Sequence, residues 1–455
     1  MRLRQINFFF CIFIFSVSYG KTLDTLGNSQ SNNEDQTIVK PEPIQSLKKW
    51  KPVFWYNLHS GSNTLPLSFI SKFAYGGHIE TNVIQSNLEL LNSNNKVGYF
   101  QEYGMQLLPF FDFLPIDLKT NLRSIKLISQ SMLGAKFTKD AYSLFFQGNS
   151  KYLGKELNPA NNKINGLNQR ILKFELKSYN LPRYLGSNFR VVPEIQFSQV
   201  LSYQSLETND LKFYSNNLGD SISLNGSMYS QNTGYDFWGT GYGIQVGFVF
   251  SKILNKSNSL NFQISNFGFI VVNNANTLSR NVQFTDNGLS VQNWNSGDAV
   301  NITPVKLSYS DLRGTNWFSR QRDTISSKLN FIESNRKGMI LSPFFANVEY
   351  HKIFFNPAGN SAFFNVELDY RHILGYVPRL GIDLGKSFKL GKIPFNGAIG
   401  LSVGGFDTYD INANFSFVKG SNNLKFYIRG LESFLIPSKE HGGGFGVQLS
   451  YPFTQ

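Results

Sequence analysis

Between Pro343 and Phe453 the chain alternates apolar and polar residues with period two through seven consecutive segments, and this run constrains the fold more than any other feature. In the last segment Phe445, Val447, Leu449, Tyr451 and Phe453 occupy one parity, and Gly444, Gly446, Gln448 and Ser450 the other. The split recurs in Tyr409, Ile411, Ala413, Phe415 and Phe417 against Asp410, Asn412, Asn414 and Ser416. It returns in Phe364, Val366, Leu368 and Tyr370 against Asn365, Glu367, Asp369 and Arg371. Side chains alternate faces along a strand, so each segment has one apolar face and one that carries full charges.

The charged face narrows the class. A soluble sandwich turns its apolar faces onto each other and its polar faces to bulk water. Long aromatic-rich strands joined in tight succession, with no helix to cover them, suit a closed barrel with lipid outside and water inside. A bilayer accepts only helices or closed barrels, because an unpaired backbone group costs several kcal/mol in hydrocarbon. After the first twenty residues no stretch of about twenty apolar residues occurs, which excludes spanning helices. The expectation is an all-β fold, a transmembrane antiparallel up-and-down β-barrel of about 14 strands. The 43 Phe and 21 Tyr supply the lipid contact and interfacial girdles such a wall needs.

Met1 to Gly20 has the chemistry of a signal peptide: basic Arg2 and Arg4, an apolar run from Ile6 to Phe15, then small Ser18 and Gly20. The single cysteine, Cys11, lies inside that run, so disulfide and thiol chemistry are not expected of the exported chain. Export and a barrel together place the protein in a bacterial outer membrane. The net charge of +13 raises the question of nucleic acid. The lysines, however, are dispersed over turns and strand ends, so they read either as solvated loop residues or as contacts to anionic lipid or lipopolysaccharide head groups, with no nucleic acid expected.

Residues 21–64 read as an N-terminal tail able to plug a lumen, and 65–455 as the barrel. Lys21 to Gln45 is rich in Asn, Ser, Gln and Thr. Leu47 to His59 mixes lysines with Trp50, Trp55 and Tyr56, as a mouth segment or an interfacial anchor would. The first strand is expected at Leu67–Ile79, and the next at Val97–Leu107. Met132–Phe137 and Tyr142–Phe146 read as a short hairpin, and Asn149–Asn168 as a loop. Further strands are Ile171–Lys177, Phe189–Tyr203, Ile222–Tyr229, Tyr242–Phe250 and Leu260–Ile270. Pro193, lacking an amide hydrogen, calls for a bulge. Asn273–Asn301 and Asp311–Gly338 are the longest interruptions, expected on the outer side and available to a protein partner.

Several stretches together resemble a Bacteroidota family of outer-membrane barrels, related in architecture to the FadL-like and PorV-like fourteen-strand barrels. They are Phe73–Glu80 (FAYGGHIE), Phe145–Gly154 (FFQGNSKYLG), Gly241–Phe250 (GYGIQVGFVF), Leu260–Ile270 (LNFQISNFGFI), Thr303–Tyr309 (TPVKLSY) and Gly443–Phe453 (GGFGVQLSYPF). The resemblance covers most of the chain in order and implies the barrel fold and the membrane. It also implies that Phe453 resembles the aromatic assembly signal read by the barrel-assembly machinery, although Thr454 and Gln455 extend past it.

No enzyme is expected. Gly400–Gly404 matches GxSxG, but the nucleophile elbow needs a strand-to-helix turn, and Ile399, Leu401 and Val403 continue an alternating strand through Ser402. Gly241–Gly247 resembles a dinucleotide loop with no helix after it. His59, His78, His351, His372 and His441 show no metal-ligand spacing. No catalytic residue, cofactor or metal is therefore assigned. The informative row is Glu349, Glu367, Asp369, Arg371, Asp383, Lys425 and Arg429, all of inward parity on neighbouring strands. These charges either cross-brace the wall or line a polar path. Two function classes fit: passive transport of a small hydrophobic molecule, or a non-conducting membrane anchor for a secretion or surface protein complex.

Overall fold

A computed structural model describes residues 52–75, 79–107, 121–180, 189–218, 221–255, 257–286, 332–355, 361–390, 393–419, 422–437 and 440–450. Fourteen antiparallel strands pair in a ring. They are β1 (Val53–Ser62), β2 (Asn95–Leu107), β3 (Leu122–Phe137), β4 (Asn162–Leu176) and β5 (Phe189–Ser215). β6 has two collinear halves, Ile222–Asn232 and Gly241–Ile253, and is followed by β7 (Asn258–Asp286). β8 likewise has halves Ile332–Leu341 and Phe345–Phe355. The ring continues with β9 (Ser361–Arg371), β10 (Val377–Leu390), β11 (Ile393–Gly405), β12 (Tyr409–Lys419), β13 (Asn422–Arg429) and β14 (Gly442–Ser450). β1 pairs with β2 on one side and β14 on the other, from Val53↔Ser450 to Gly61↔Gly442, and this pairing closes the barrel. A closed ring leaves no strand edge to satisfy in lipid.

The alternation dictates the two faces. Ile382 pairs with Leu401 and Leu384 with Ile399 on a face where all four are exposed. The intervening Gly381, Asp383, Gly400 and Ser402 face the interior. Strands β5 and β7 run far beyond their neighbours, and both halves of β6 lie along β5 in turn. The upper half of β6 also pairs with the far end of β7, from Asn276↔Asn232 to Asp286↔Ile222, so a sheet of three long strands rises from the wall.

The two ends differ. At one end lie both chain ends of the ring and the short connections after β6, β10 and β12. The opposite end, called here the loop end, carries α1 (Leu67–Tyr75), α2 (Thr81–Leu90), α3 (Lys139–Gln147) and α4 (Leu431–Leu435). The first three cover a small core of Leu65, Phe69, Leu91 and Tyr142, against which Val83, Ile84, Phe137 and Phe146 pack.

Several sequence expectations are corrected. The wall begins at Val53, within the stretch assigned to the tail, whereas Leu67–Tyr75 is helical. Leu67, Phe69, Ile70 and Phe73 fit a helical stripe as well as a strand, and a helix can bury them without sheet partners. The second arm of the expected hairpin is α3: Thr138 caps it, its hydroxyl accepting from the Ala141 amide at 3.3 Å, and Gly148 ends it at φ 70°. Part of the expected loop after Asn149 is strand β4. The predicted loop from Asn273 is strand as far as Asp286, paired from Asn276 onward with the upper half of β6. Pro193 causes no bulge: it stays in register with Phe248. β5 carries extra residues elsewhere, Leu201 between Val200↔Gln169 and Ser202↔Asn168, and one at Asp210–Leu211 opposite Gly226. The remaining loop residues 287–331, the tail and Phe453 lie outside the described residues.

Candidate functional site

The inner face of the wall carries three kinds of surface at different heights. Near the loop end Phe100, Met132, Leu167, Val200, Ile270 and Val272 project from β2, β3, β4, β5 and β7 into one apolar cluster. Tyr376 and Phe406 complete it from the connections after β9 and β11. Those connections lean across the lumen. A Cβ on Gly98 would lie 1.9 Å from the Phe406 ring, and one on Gly134 would lie 1.9 Å from the Leu374 carbonyl oxygen. Only glycine admits so close an approach at either position.

The wall is irregular at the same height. β7 shifts register between Ile264 and Phe267 against β6, with Asn266 at φ 63°. Opposite it, Ser342 to Phe344 separate the halves of β8, and the Ser342 amide donates to the Gly268 carbonyl at 2.9 Å. Asn266 and Ser342 are buried, and neither Asn266 Nδ2 nor Ser342 Oγ has a hydrogen-bond partner among the described residues. Ile270, Ile340 and Phe345, which flank the break, all belong to or pack on the apolar cluster.

A polar belt occupies the lumen nearer the other end. Lys173 Nζ lies 2.7 Å from Glu194 Oε2, to which the Ser265 hydroxyl also donates at 2.8 Å. Lys126 pairs with Glu175. Glu102 accepts from Trp55 Nε1 at 2.8 Å and from Gln130 Nε2 at 2.6 Å. Each charge therefore enters the interior with a partner, as burial requires.

The row of charges picked out from the sequence falls as follows. Glu349 stands opposite Glu367 in register, and Asn347 donates to Glu367 at 2.7 Å. Asp369 accepts from Arg371 Nε at 3.1 Å and from the Tyr376 hydroxyl at 2.5 Å. The Arg371 guanidinium lies 4.4 Å from the Phe100 ring centre, and so reaches from β9 to β2 across the barrel. Asp383 accepts from Asn414 at 3.4 Å, in space that Gly400 leaves by having no side chain. Lys425 lies beside Ser416 and Gln448 near the far end and is exposed. Arg429 is buried near the loop end. Arg379, absent from the sequence-derived row, is buried and reaches Glu367 at 3.4 Å. The row is thus divided among separate contacts and does not form one continuous file.

Sequence reasoning also missed a group near the loop end. His59 of β1, Asp407 of the β11–β12 connection and Asp410 of β12 each present one ligand atom within 4.8 Å of the others. All three are buried, and His59 Nε2 lies 3.4 Å from Asp407 Oδ2. Burial pushes the Asp407 carboxyl up to about 6. No linear motif announces this group, since His59 is separated from Asp407 by 348 residues. Ser402, the centre of the GxSxG match, sits mid-strand and accepts from Asn412 at 3.1 Å, away from any histidine contact among the described residues.

These features define a transmembrane barrel whose interior is crossed by its own side chains and inward-folded connections. No family model and no curated protein matches the chain. Solved structures similar to it include the Pseudomonas putida toluene transporter TodX, at 8% identity over 90% of each chain with a TM-score of 0.36. The Ralstonia pickettii toluene transporter TbuX is similar at 7% identity over 89% of each chain, with a TM-score of 0.36. A Pseudomonas aeruginosa FadL homologue is similar at 8% identity over 89% of each chain, with a TM-score of 0.38. The barrel assignment itself stands on the closed strand pairing of this chain.

Proposed function

We propose that this chain is an outer-membrane barrel that lets a small hydrophobic molecule pass without an energy source. The observation that carries the reading is the apolar cluster of Phe100, Met132, Leu167, Val200, Ile270 and Val272 inside the barrel, beside the register break in the wall. A barrel that passes hydrated solutes keeps a wet, polar lumen. Here a hydrated solute would have to shed water to pass the cluster, whereas an apolar one would exchange one greasy contact for another. In this reading Glu349, Glu367, Asp369, Arg371, Asp383, Lys425 and Arg429 hold the wall around that route and exclude ions of either sign. The longer loops then face outward, as is usual for such barrels.

Uptake of a small aromatic fluorophore by liposomes containing the purified protein tests the proposal. Protein-dependent uptake is expected, and Val200→Asp, which puts a charge into the cluster, lowers it by about tenfold or more. Migration of unheated samples in SDS gels checks that the variant barrel is folded. Uptake equal to that of protein-free liposomes overturns the proposal.

A further inference from the structure

His59, Asp407 and Asp410 are explained neither by wall bracing nor by passage of an apolar cargo. Buried polar atoms are normally satisfied, and a buried carboxylate without a donor carries its full desolvation cost. Yet His59 Nδ1 is buried with no hydrogen-bond partner among the described residues, and Asp407 Oδ1 and both Asp410 oxygens are buried with no donor there other than the neighbouring carboxyl of the pair. His59 and Asp410 are each 1% exposed, and Asp407 5%.

The backbone around them is built for close approach. A Cβ on Gly442 would lie 2.0 Å from Asp407 Oδ2, one on Gly405 3.2 Å from Asp407 Oδ1, and one on Gly430 3.1 Å from Asp410 Oδ1. A cavity of about 270 Å³, lined in part by Asn63, Lys96, Gly375, Gly405 and Asp407, adjoins the group at the loop end and supplies an entry path.

We infer that His59, Asp407 and Asp410 form a binding site for one divalent transition-metal ion, of which Zn²⁺ is the best-matched probe. One imidazole and two carboxylates are a donor set that such ions take. Ligand atoms about 2.1 Å from a tetrahedral ion stand about 3.4 Å apart, a spacing that His59 Nε2 and Asp407 Oδ2 already have, and the wider separations, up to 4.8 Å, close with a side-chain movement of about an ångström. The charge environment permits a cation. Arg379 is committed to Glu367 and Arg371 to Asp369, which leaves Arg429 and Lys96, the latter in the cavity lining, as the nearby cations without a carboxylate within ion-pair distance among the described residues. The ion would tie β1 to the β11–β12 connection that carries Phe406. It would thereby hold the inward-folded connection in place, a role independent of whether the barrel passes a cargo.

The test uses the full chain in detergent, stripped with chelator and then titrated with Zn²⁺ and, separately, Mn²⁺. One equivalent of Zn²⁺ is expected per chain, with a rise in thermal midpoint that grows with free Zn²⁺ as mass action requires. The Zn K-edge spectrum should show a single imidazole nitrogen among oxygen ligands. Asp407→Asn and Asp410→Asn should each weaken binding by about tenfold or more, whereas Asp383→Asn, elsewhere on the inner face, should bind as the parent does. The parent spectrum decides the matter even if a variant fails to fold. Absence of binding by either ion, a spectrum with several imidazoles or none, or folded Asp407→Asn and Asp410→Asn proteins that bind unchanged would each overturn the inference.

Discussion

At the scale of single residues, the interior is held by pairs whose members depend on each other. Lys173 and Glu194 are almost fully buried, their side chains 7% and 1% exposed. Removing one partner leaves a buried charge without compensation. Lys173→Met is therefore expected to cost about 3–5 kcal/mol of stability, and Lys173→Met combined with Glu194→Gln should recover much of it. Urea unfolding in lipid vesicles measures these and Glu194→Gln alone; a double-variant loss equal to the sum of the two single losses would show that the pair is not coupled. Gly98 is a second point of dependence. Its missing side chain is the space that the Phe406 ring occupies, so Gly98→Ala should cost about 1–3 kcal/mol through displacement of that ring. A melting temperature equal to the parent's would contradict the packing described.

At the scale of elements, the two faces of a strand answer differently to charge. Leu401 on β11 is 65% exposed on the outer face, paired with Ile382 and Ile411. Leu401→Arg places a cation in the apolar band and is expected to cost about 2–4 kcal/mol of folding free energy. Asn396→Arg, of inward parity on the same strand, should cost less, and equal penalties would mean the faces are misassigned. The elements also show where reading by period succeeds. The seven strands after Pro343 were legible because each has one face for lipid and one for the interior, and that demand leaves a period-two signature. Leu67–Tyr75 and Lys139–Gln147 were not legible as helices, since short amphipathic helices contain apolar pairs that also fit a strand. The upper half of β6 was read as strand at Ile222–Tyr229, whereas the upper parts of β5 and β7, beyond Tyr203 and Ile270, were not, because their Asn, Ser and Thr content resembles loop while the backbone pairing continues.

At the scale of the whole molecule, the connections after β9 and β11 lie across the lumen and Arg371 reaches the opposite wall. A planar bilayer containing the protein is accordingly expected to show no steady ion current of a water-filled pore. Phe406→Ala removes the ring beside Gly98 and should introduce conducting events; a parent protein with a permanently open channel would contradict the observed packing.

The sequence by itself determined that the chain builds an antiparallel barrel and that alternate residues of the strands after Pro343 take opposite faces, because lipid and the interior impose opposite demands on alternate side chains. Only the tertiary structure decided which inward residues meet. Closure of the ring brings β1 beside β14, so His59 comes to lie against Asp407 and Asp410 from the far end of the chain. The same closure sets Arg371 against Phe100 from opposite walls. Such meetings depend on register, strand number and the course of the connections, and none of these leaves a mark in the local order of residues.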